Sequence, residues 1–219
     1  MLKYLGLATL AILVMAHPAK AITINSYDNG WYSDLDTQDV GNSNILAGTR
    51  SPGIYRNWFA FDLSSIGSQT ITSAQLVISG QGRYASNDGT ETYVLFDYTG
   101  DIGTLTARTD ANAFIDLGSG NSYGFTAVAG VPGTAMPTVS IVLNAAALSD
   151  LNIATLFAIG GLVSTAELNQ ALWAGSQGVP AARLDLTLEP VPLPAALPLL
   201  ATGLCATGFM GWRRKWKSD

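Results

Sequence analysis

The sequence has few of the residues that usually carry chemistry or charge. Its 219 residues include one cysteine, Cys205, and one histidine, His17, and only 12% are charged, which is about half the usual quarter. This shortage disfavours a coiled coil and a charged, disordered chain. Glycine is abundant instead, with 23 residues. The composition is typical of a β-rich domain with apolar ends.

Residues 1–21 have the layout of a secretory signal peptide. Lys3 supplies the positive start, and an uncharged, largely apolar run extends from Tyr4 to Ala16. Ala19 and Ala21 form the small-x-small pattern that signal peptidase recognises, so we predict cleavage after Ala21. The alternative is an uncleaved anchor helix, which the short apolar run disfavours.

The C-terminal end has the pattern of a membrane-spanning tail. Residues 191–212 carry no charge. As a helix, Ala195–Trp212 would be about 27 Å long, close to the bilayer core of about 30 Å. The basic residues that follow are predicted to stay cytoplasmic, and they are Arg213, Arg214, Lys215 and Lys217. We therefore predict a transmembrane helix over 195–212, with a buried core helix as the weaker alternative.

This tail resembles the PEP-CTERM class of sorting tails, and most closely its VPLPA-CTERM variant. The resemblance is carried by the apolar span, the basic end and the motif Val191, Pro192, Leu193, Pro194 and Ala195. It implies a Gram-negative bacterium whose exosortase-type membrane protease acts near that motif. The protein would be anchored transiently in the inner membrane and then reach the cell surface or extracellular matrix. Such families are linked to exopolysaccharide and biofilm.

Residues 22–190 remain as the exported domain. Five arginines, no lysine and 15 acidic residues give this domain a formal charge of −10, which argues against a nucleic-acid partner. The single Cys and the single His both lie outside it. The domain therefore has no internal disulfide, no Ser–His or Cys–His nucleophile pair and no zinc site built on those residues. Carboxylate chemistry and oxygen-ligated metals remain open.

Short segments with strand-like patterns predict an all-β domain. Six segments are strand-like, most of them with alternating polarity, and they are 22–25, 58–63, 71–78, 92–99, 138–143 and 183–188. A seventh segment, 155–161, is typical of a buried strand. Turn signals separate them, including Asp28–Gly30. One short helix is predicted to begin at Ala145, capped by Asn144, and to end near Leu151 and Asn152. We expect an antiparallel, jelly-roll-like sandwich of eight or nine strands in two sheets, between a signal helix and a transmembrane helix.

The domain is also similar to an uncharacterised group of proteins that carry such tails. The similarity lies in Tyr55–Leu63, Thr72–Leu76, Asp116–Gly124 and Phe157–Gly161. No activity is established for that group, so the similarity assigns no site residues.

Three carboxylates within six residues, Asp34, Asp36 and Asp39, form a candidate calcium site. Carboxylate and amide oxygens are the ligands that Ca²⁺ prefers, and no other cofactor is indicated. The spacing does not match an EF-hand, because no glutamate closes the loop. The alternative, a solvated acidic loop, is the commoner outcome for such a charge run.

Trp31 and Tyr32 form a candidate glycan-binding pair, in a region that reads as rich in turns. Exposed aromatic rings stack on sugars in lectin-like sandwiches, and neighbouring carboxylates and amides bind the hydroxyl groups. Trp58 lies in the most hydrophobic predicted strand and is expected to be core, because aromatic residues in sheets usually pack.

The predicted function is that of an exported, non-enzymatic surface or matrix protein that binds exopolysaccharide. Its expected partners are signal peptidase, the exosortase-type protease and the inner membrane before processing. One alternative is a self-associating structural protein without a ligand. The other is a glycan-active enzyme, which would need two carboxyl groups about 5–10 Å apart, and no pair in the sequence stands out.

Overall fold

A computed structural model describes residues 20–35 and 40–190, which form twelve strands and three short α-helices. The strands are β1 Lys20–Asn25, β2 Asp28–Ser33, β3 Ala47–Arg50, β4 Gly53–Asp62, β5 Ile71–Ile78, β6 Arg83–Ala85, β7 Thr90–Asp97, β8 Ser122–Ala129, β9 Val139–Val142, β10 Leu156–Val163, β11 Ala171–Ala174 and β12 Ala182–Leu188. The helices are α1 Ile102–Thr106, α2 Ala113–Asp116 and α3 Ala145–Leu151, and a 3₁₀ turn covers Ser64–Ile66.

The strands pair antiparallel in two sheets, which confirms the predicted all-β, two-sheet class. The small sheet has the order β1-β12-β5-β9, and the large sheet has the order β6-β11-β3-β4-β10-β7-β8, with β2 paired to β4. In the small sheet the first and last described strands are neighbours, with Lys20 opposite Leu188. Each predicted strand segment overlaps a strand of the structure and extends beyond it by at most two residues, and twelve strands are present instead of the predicted eight or nine.

Two local predictions are corrected. Asp28–Gly30 is not a turn but the start of β2, where Asp28 lies opposite Ala60 of β4. The single predicted helix is present as α3, and the side chain of Asn144 accepts a hydrogen bond from the backbone N–H of Ala147 at 3.1 Å. Helices α1 and α2 were not predicted, because each is only four or five residues long and too short to show a helical period.

The main core lies between the two sheets. Phe59 and Phe61 of β4 are fully buried there with Ile159 of β10, and they pack in one cluster with Leu76 and Leu184 from the small sheet. Every buried residue of the three hydrophobic clusters lies between Tyr32 and Leu188. Residues 20–190 therefore contain a complete core and can be studied as a separate domain.

The large sheet is also covered on its other face. Trp58 and Ala60 alternate with the core-facing phenylalanines of β4, so they lie on the opposite side of the strand. There they form a second cluster with Ala158, Leu105 and Leu117, which brings the segment carrying α1 and α2 onto the sheet. Residues 58–61 of β4 and 157–161 of β10 are thus buried on both faces, which explains why these two stretches are continuously apolar.

A partly buried ion pair holds the α1–α2 segment in place. Arg108 donates to both carboxylate oxygens of Asp28 at 3.1 Å, and its guanidinium lies 5.2 Å from the ring of Trp58. The Arg108 side chain is only 9% exposed. Because it also donates to the carbonyl of Asn29 at 3.2 Å, the arginine links the end of α1 to the edge strand β2.

Predictions on the two chain ends fall mostly outside the described residues. The described residues do not include Ala19, the predicted signal helix before it, the motif at 191–195 or the helix predicted over 195–212. Ala21 belongs to β1 opposite Thr187, so cleavage after Ala21 would leave four residues of that strand. Within residues 20–35 and 40–190, no helix has the length and apolar character needed to cross a membrane.

The pair Gly160–Gly161 in β10 is predicted to be essential for packing on both faces of the sheet. A Cβ on Gly160 would lie 2.5 Å from the carbonyl oxygen of Leu117, and one on Gly161 would lie 1.9 Å from the hydroxyl of Tyr93. Since both neighbours are fully buried, Gly160→Ala and Gly161→Ala should each lower the free energy of unfolding by about 1–3 kcal/mol.

Urea unfolding of residues 20–190 measures this effect. Gly89→Ala is the matched control, because a Cβ there has nothing within 4 Å. Equal stability of all three variants would contradict the close packing described for β10.

Candidate functional site

One cleft of the described residues is open, polar and built from the ends of several strands. It has a volume of about 920 Å³. Its wall is formed by the ends of β3, β6 and β11 and by the turns next to them, through Arg50, Gly82, Arg83, Ala85, Ser86, Asn87, Pro132, Gly133, Ala135, Asn169, Ala174 and Gly175. No acidic side chain is among these lining residues.

Two arginines, Arg50 and Arg83, project from the cleft wall. Both are exposed, and neither guanidinium has an ion pair or a hydrogen bond with the protein in the described ranges. Arg50 ends β3 opposite Gly53, and Arg83 begins β6 opposite Ala174. Their backbones are therefore held by strand pairing, while their side chains are available to a ligand.

Two acidic residues close in sequence to the cleft wall are hydrogen-bonded within the protein. Glu91 is fully buried, and its carboxylate accepts hydrogen bonds from the hydroxyl groups of Ser86 and Thr165. Asp88 accepts a hydrogen bond from the side-chain amide of Gln170 at 3.1 Å. Neither of them is among the residues that line the cleft.

Trp31, the aromatic residue predicted to bind glycans, lies beside this cleft. Its ring contacts that of Tyr55 edge to face, with the ring centroids 5.0 Å apart. Both rings are partly exposed and, like Ala85, pack against a small buried cluster of Leu46, Ala171 and Ala174. Ala85 and Ala174 also line the cleft, so the aromatic pair and the cleft wall share this cluster.

Tyr32 does not share this position. It lies in β2 rather than in a turn, is only 2% exposed, and donates its hydroxyl proton to the carbonyl of Leu105 at 3.1 Å. Burial raises the pKa of Tyr32 to about 12. This corrects the expectation that both rings of the pair are available to a sugar. Trp58 is fully buried, in agreement with its expected place in the core.

Only one member of the predicted calcium site, Asp34, belongs to the described residues. It is exposed, and its Oδ1 accepts a hydrogen bond from the backbone N–H of Ile54 at 2.8 Å. Asp36 and Asp39 lie outside the described residues. Elsewhere in 20–35 and 40–190, no three acidic side chains come together as metal ligands.

Three further carboxylates, near α1 and α2, accept hydrogen bonds that stabilise the surrounding loops. Asp101 accepts from the backbone N–H of Thr104 at 2.8 Å and so caps α1. Asp116 accepts from the N–H of Thr99, also at 2.8 Å. Asp110 accepts from the hydroxyl of Tyr98 at 2.6 Å, and burial is the main cause that raises the pKa of this tyrosine. Each of these contacts stabilises a loop or a helix end.

Sequence reasoning did not select Arg50, Arg83, Asn87 or Asn169. They come from three separate segments, and none belongs to a recognisable motif. The one signal in the sequence that could have indicated the two arginines is the scarcity of this residue type, since residues 22–190 contain only five.

No protein-family model matches the chain, and no curated protein matches it. The site is therefore defined by its residues and geometry alone.

We predict that Trp31 accounts for the quencher-accessible fluorescence of residues 20–190. Of the three tryptophans in this segment, Trp58 and Trp173 are fully buried and only Trp31 is partly exposed. Trp31→Phe should therefore remove most of the acrylamide quenching that the native domain shows. The same titration in guanidinium chloride is the control, because unfolding exposes all remaining indoles. Unchanged quenching in the native variant would contradict the placement of Trp31.

Proposed function

We propose that the chain is an exported, non-enzymatic surface or matrix protein that binds exopolysaccharide. The observation that carries the proposal is the open polar cleft next to the partly exposed Trp31–Tyr55 pair. Pockets for small drug-like ligands are mostly apolar and enclosed, whereas this cleft is wide and lined by guanidinium, amide and backbone groups.

The chemistry of a sugar chain fits this combination of groups. Sugar rings present hydroxyl groups at their edges and C–H groups on their faces. Asn87 and Asn169, both exposed on the cleft wall, offer amide donors and acceptors to the hydroxyl groups. The exposed part of Trp31 offers an apolar surface to a ring face. A polymer would extend from the cleft onto the aromatic pair across Ala85 and Ala174.

The proposal includes sorting through the C-terminal tail. Support comes from the motif Val191–Ala195, the apolar span and the basic end, taken together. The domain's last backbone contact is the hydrogen bond from the N–H of Glu189 to the carbonyl of Thr70, at 2.8 Å. The motif begins two residues later, so a protease acting there would leave β12 intact.

We also propose that the sandwich is of the jelly-roll type. Support comes from the many neighbours that are distant in sequence, such as β12 between β1 and β5 in the small sheet.

A structural role without a ligand is the second candidate. It is favoured by large apolar side chains on the last strands of the two sheets, Val142 on β9 and Phe125 on β8, each 71% exposed. Exposed apolar side chains of this kind favour association between copies.

Sorting is tested with the full chain in a Gram-negative host that has an exosortase. Replacing both Pro192 and Pro194 with alanine should leave the uncut protein in the membrane fraction, because the motif would no longer be recognised. Pro198→Ala, within the apolar span, is the matched control and should be released like the native chain. Equal release of both variants would overturn this part of the proposal.

Glycan binding is tested with residues 20–190 on an array of neutral and acidic polysaccharides. Trp31→Ala should raise the Kd by about two- to tenfold, the range expected for one aromatic contact. Phe125→Ala is the control, since it removes an exposed ring from β8, and it should bind normally. Running the array with Ca²⁺ and with a chelator also tests the predicted calcium site at Asp34, Asp36 and Asp39. Absence of binding to every glycan would overturn the binding function.

A further inference from the structure

We infer that the cleft selects acidic polysaccharides, with Arg50 and Arg83 as the residues that recognise carboxylate or sulfate groups on the sugars. This inference rests on the proposed glycan-binding function and adds the class of glycan and the residues that determine it.

The first step is the distribution of arginines in an acidic domain. Residues 22–190 contain five arginines against 15 acidic residues. Three of the arginines have partners within the protein. Arg108 is paired with Asp28, and Arg183 with Asp185 at 3.1 Å. Arg56 donates to the carbonyl of Phe114 at 2.6 Å and lies over its ring. The two that remain, Arg50 and Arg83, line the same cleft.

The second step is the electrostatics of that cleft. A domain of net charge −10 repels polyanions in general, so an anionic ligand needs a site where positive charge is concentrated and unopposed. Among the described residues, the cleft wall carries Arg50 and Arg83 and no acidic side chain, so positive charge is concentrated there.

The third step is the chemistry of the guanidinium group. Its planar set of N–H donors matches a carboxylate or sulfate through two parallel hydrogen bonds, which a neutral sugar hydroxyl cannot accept in the same way. Two such groups on one wall, with Asn87 and Asn169 beside them, suit a chain with repeated negative charges. A nucleic acid is disfavoured, because the rest of the domain is acidic.

The experiment compares residues 20–190 on polygalacturonate, dextran sulfate and neutral dextran. The first two probes distinguish carboxylate from sulfate, and the last two share one sugar backbone. We expect binding to at least one acidic polymer and little binding to dextran. Binding should weaken as salt rises, because the screening length falls from about 10 Å at 0.1 M to about 3 Å at 1 M.

Variants then locate the site. Arg50→Gln and Arg83→Gln should each raise the Kd for the acidic polymer by about three- to tenfold, as for one exposed charge contact. Arg183→Gln is the matched control. It removes the same charge from an exposed arginine on the small sheet and should bind like the native domain. Thermal unfolding should be unchanged in all three, since these side chains lie on the surface.

Each outcome bears on a different claim. Equal binding to dextran and dextran sulfate, or array binding confined to neutral glycans, would overturn the acidic selectivity and leave the glycan-binding function standing. Acidic binding that survives both cleft variants, or that is lost in Arg183→Gln, would overturn the assignment to this cleft. Absence of binding to all three polymers and to every glycan of the array would overturn the binding function itself.

Discussion

The burial of β4 and β10 on both faces is the constraint on which the rest of the described structure depends. One face of these strands forms the main core against the small sheet, and the other is covered by the α1–α2 segment. This arrangement requires small residues where backbone approaches backbone, which Gly160 supplies against Leu117. It also requires an anchor for a segment with little regular structure of its own, which the Arg108–Asp28 pair provides.

This constraint also determines which charged groups are available for binding. In a domain with so few basic residues, Arg108 and Arg56 are both used to hold the covering segment on the large sheet. The acidic residues of that segment are used in the same way, in helix caps and loop contacts. The charged groups that remain available to ligands lie at the ends of large-sheet strands that the α1–α2 segment does not cover. Arg50 and Arg83 are at that place, at the ends of β3 and β6.

Fold class was predictable from the sequence, whereas most of the site was not. Alternating polarity located β5 and β12 within a residue of their observed bounds, because each has one face in the core and one in solvent. Asp28–Gly30 was mistaken for a turn, because Asn and Gly favour turns locally while pairing with β4 makes them a strand. Tyr32 was taken as exposed because nothing in the sequence indicates that Leu105 covers it. The cleft joins residues from distant segments, and such proximity exists only after folding.

The strand registers place the cleft away from the ends of the domain. Lys20, at the start of β1, and Leu188, at the end of β12, lie side by side near Ile71 of β5. At the other end of β5, Ile78 pairs with Ala182, only a few residues from Gly82 and Gly175 of the cleft wall. Six residue steps along β12 separate the two ends, which is about 20 Å at the rise of a strand. The cleft therefore lies toward the end of β12 that is opposite Leu188.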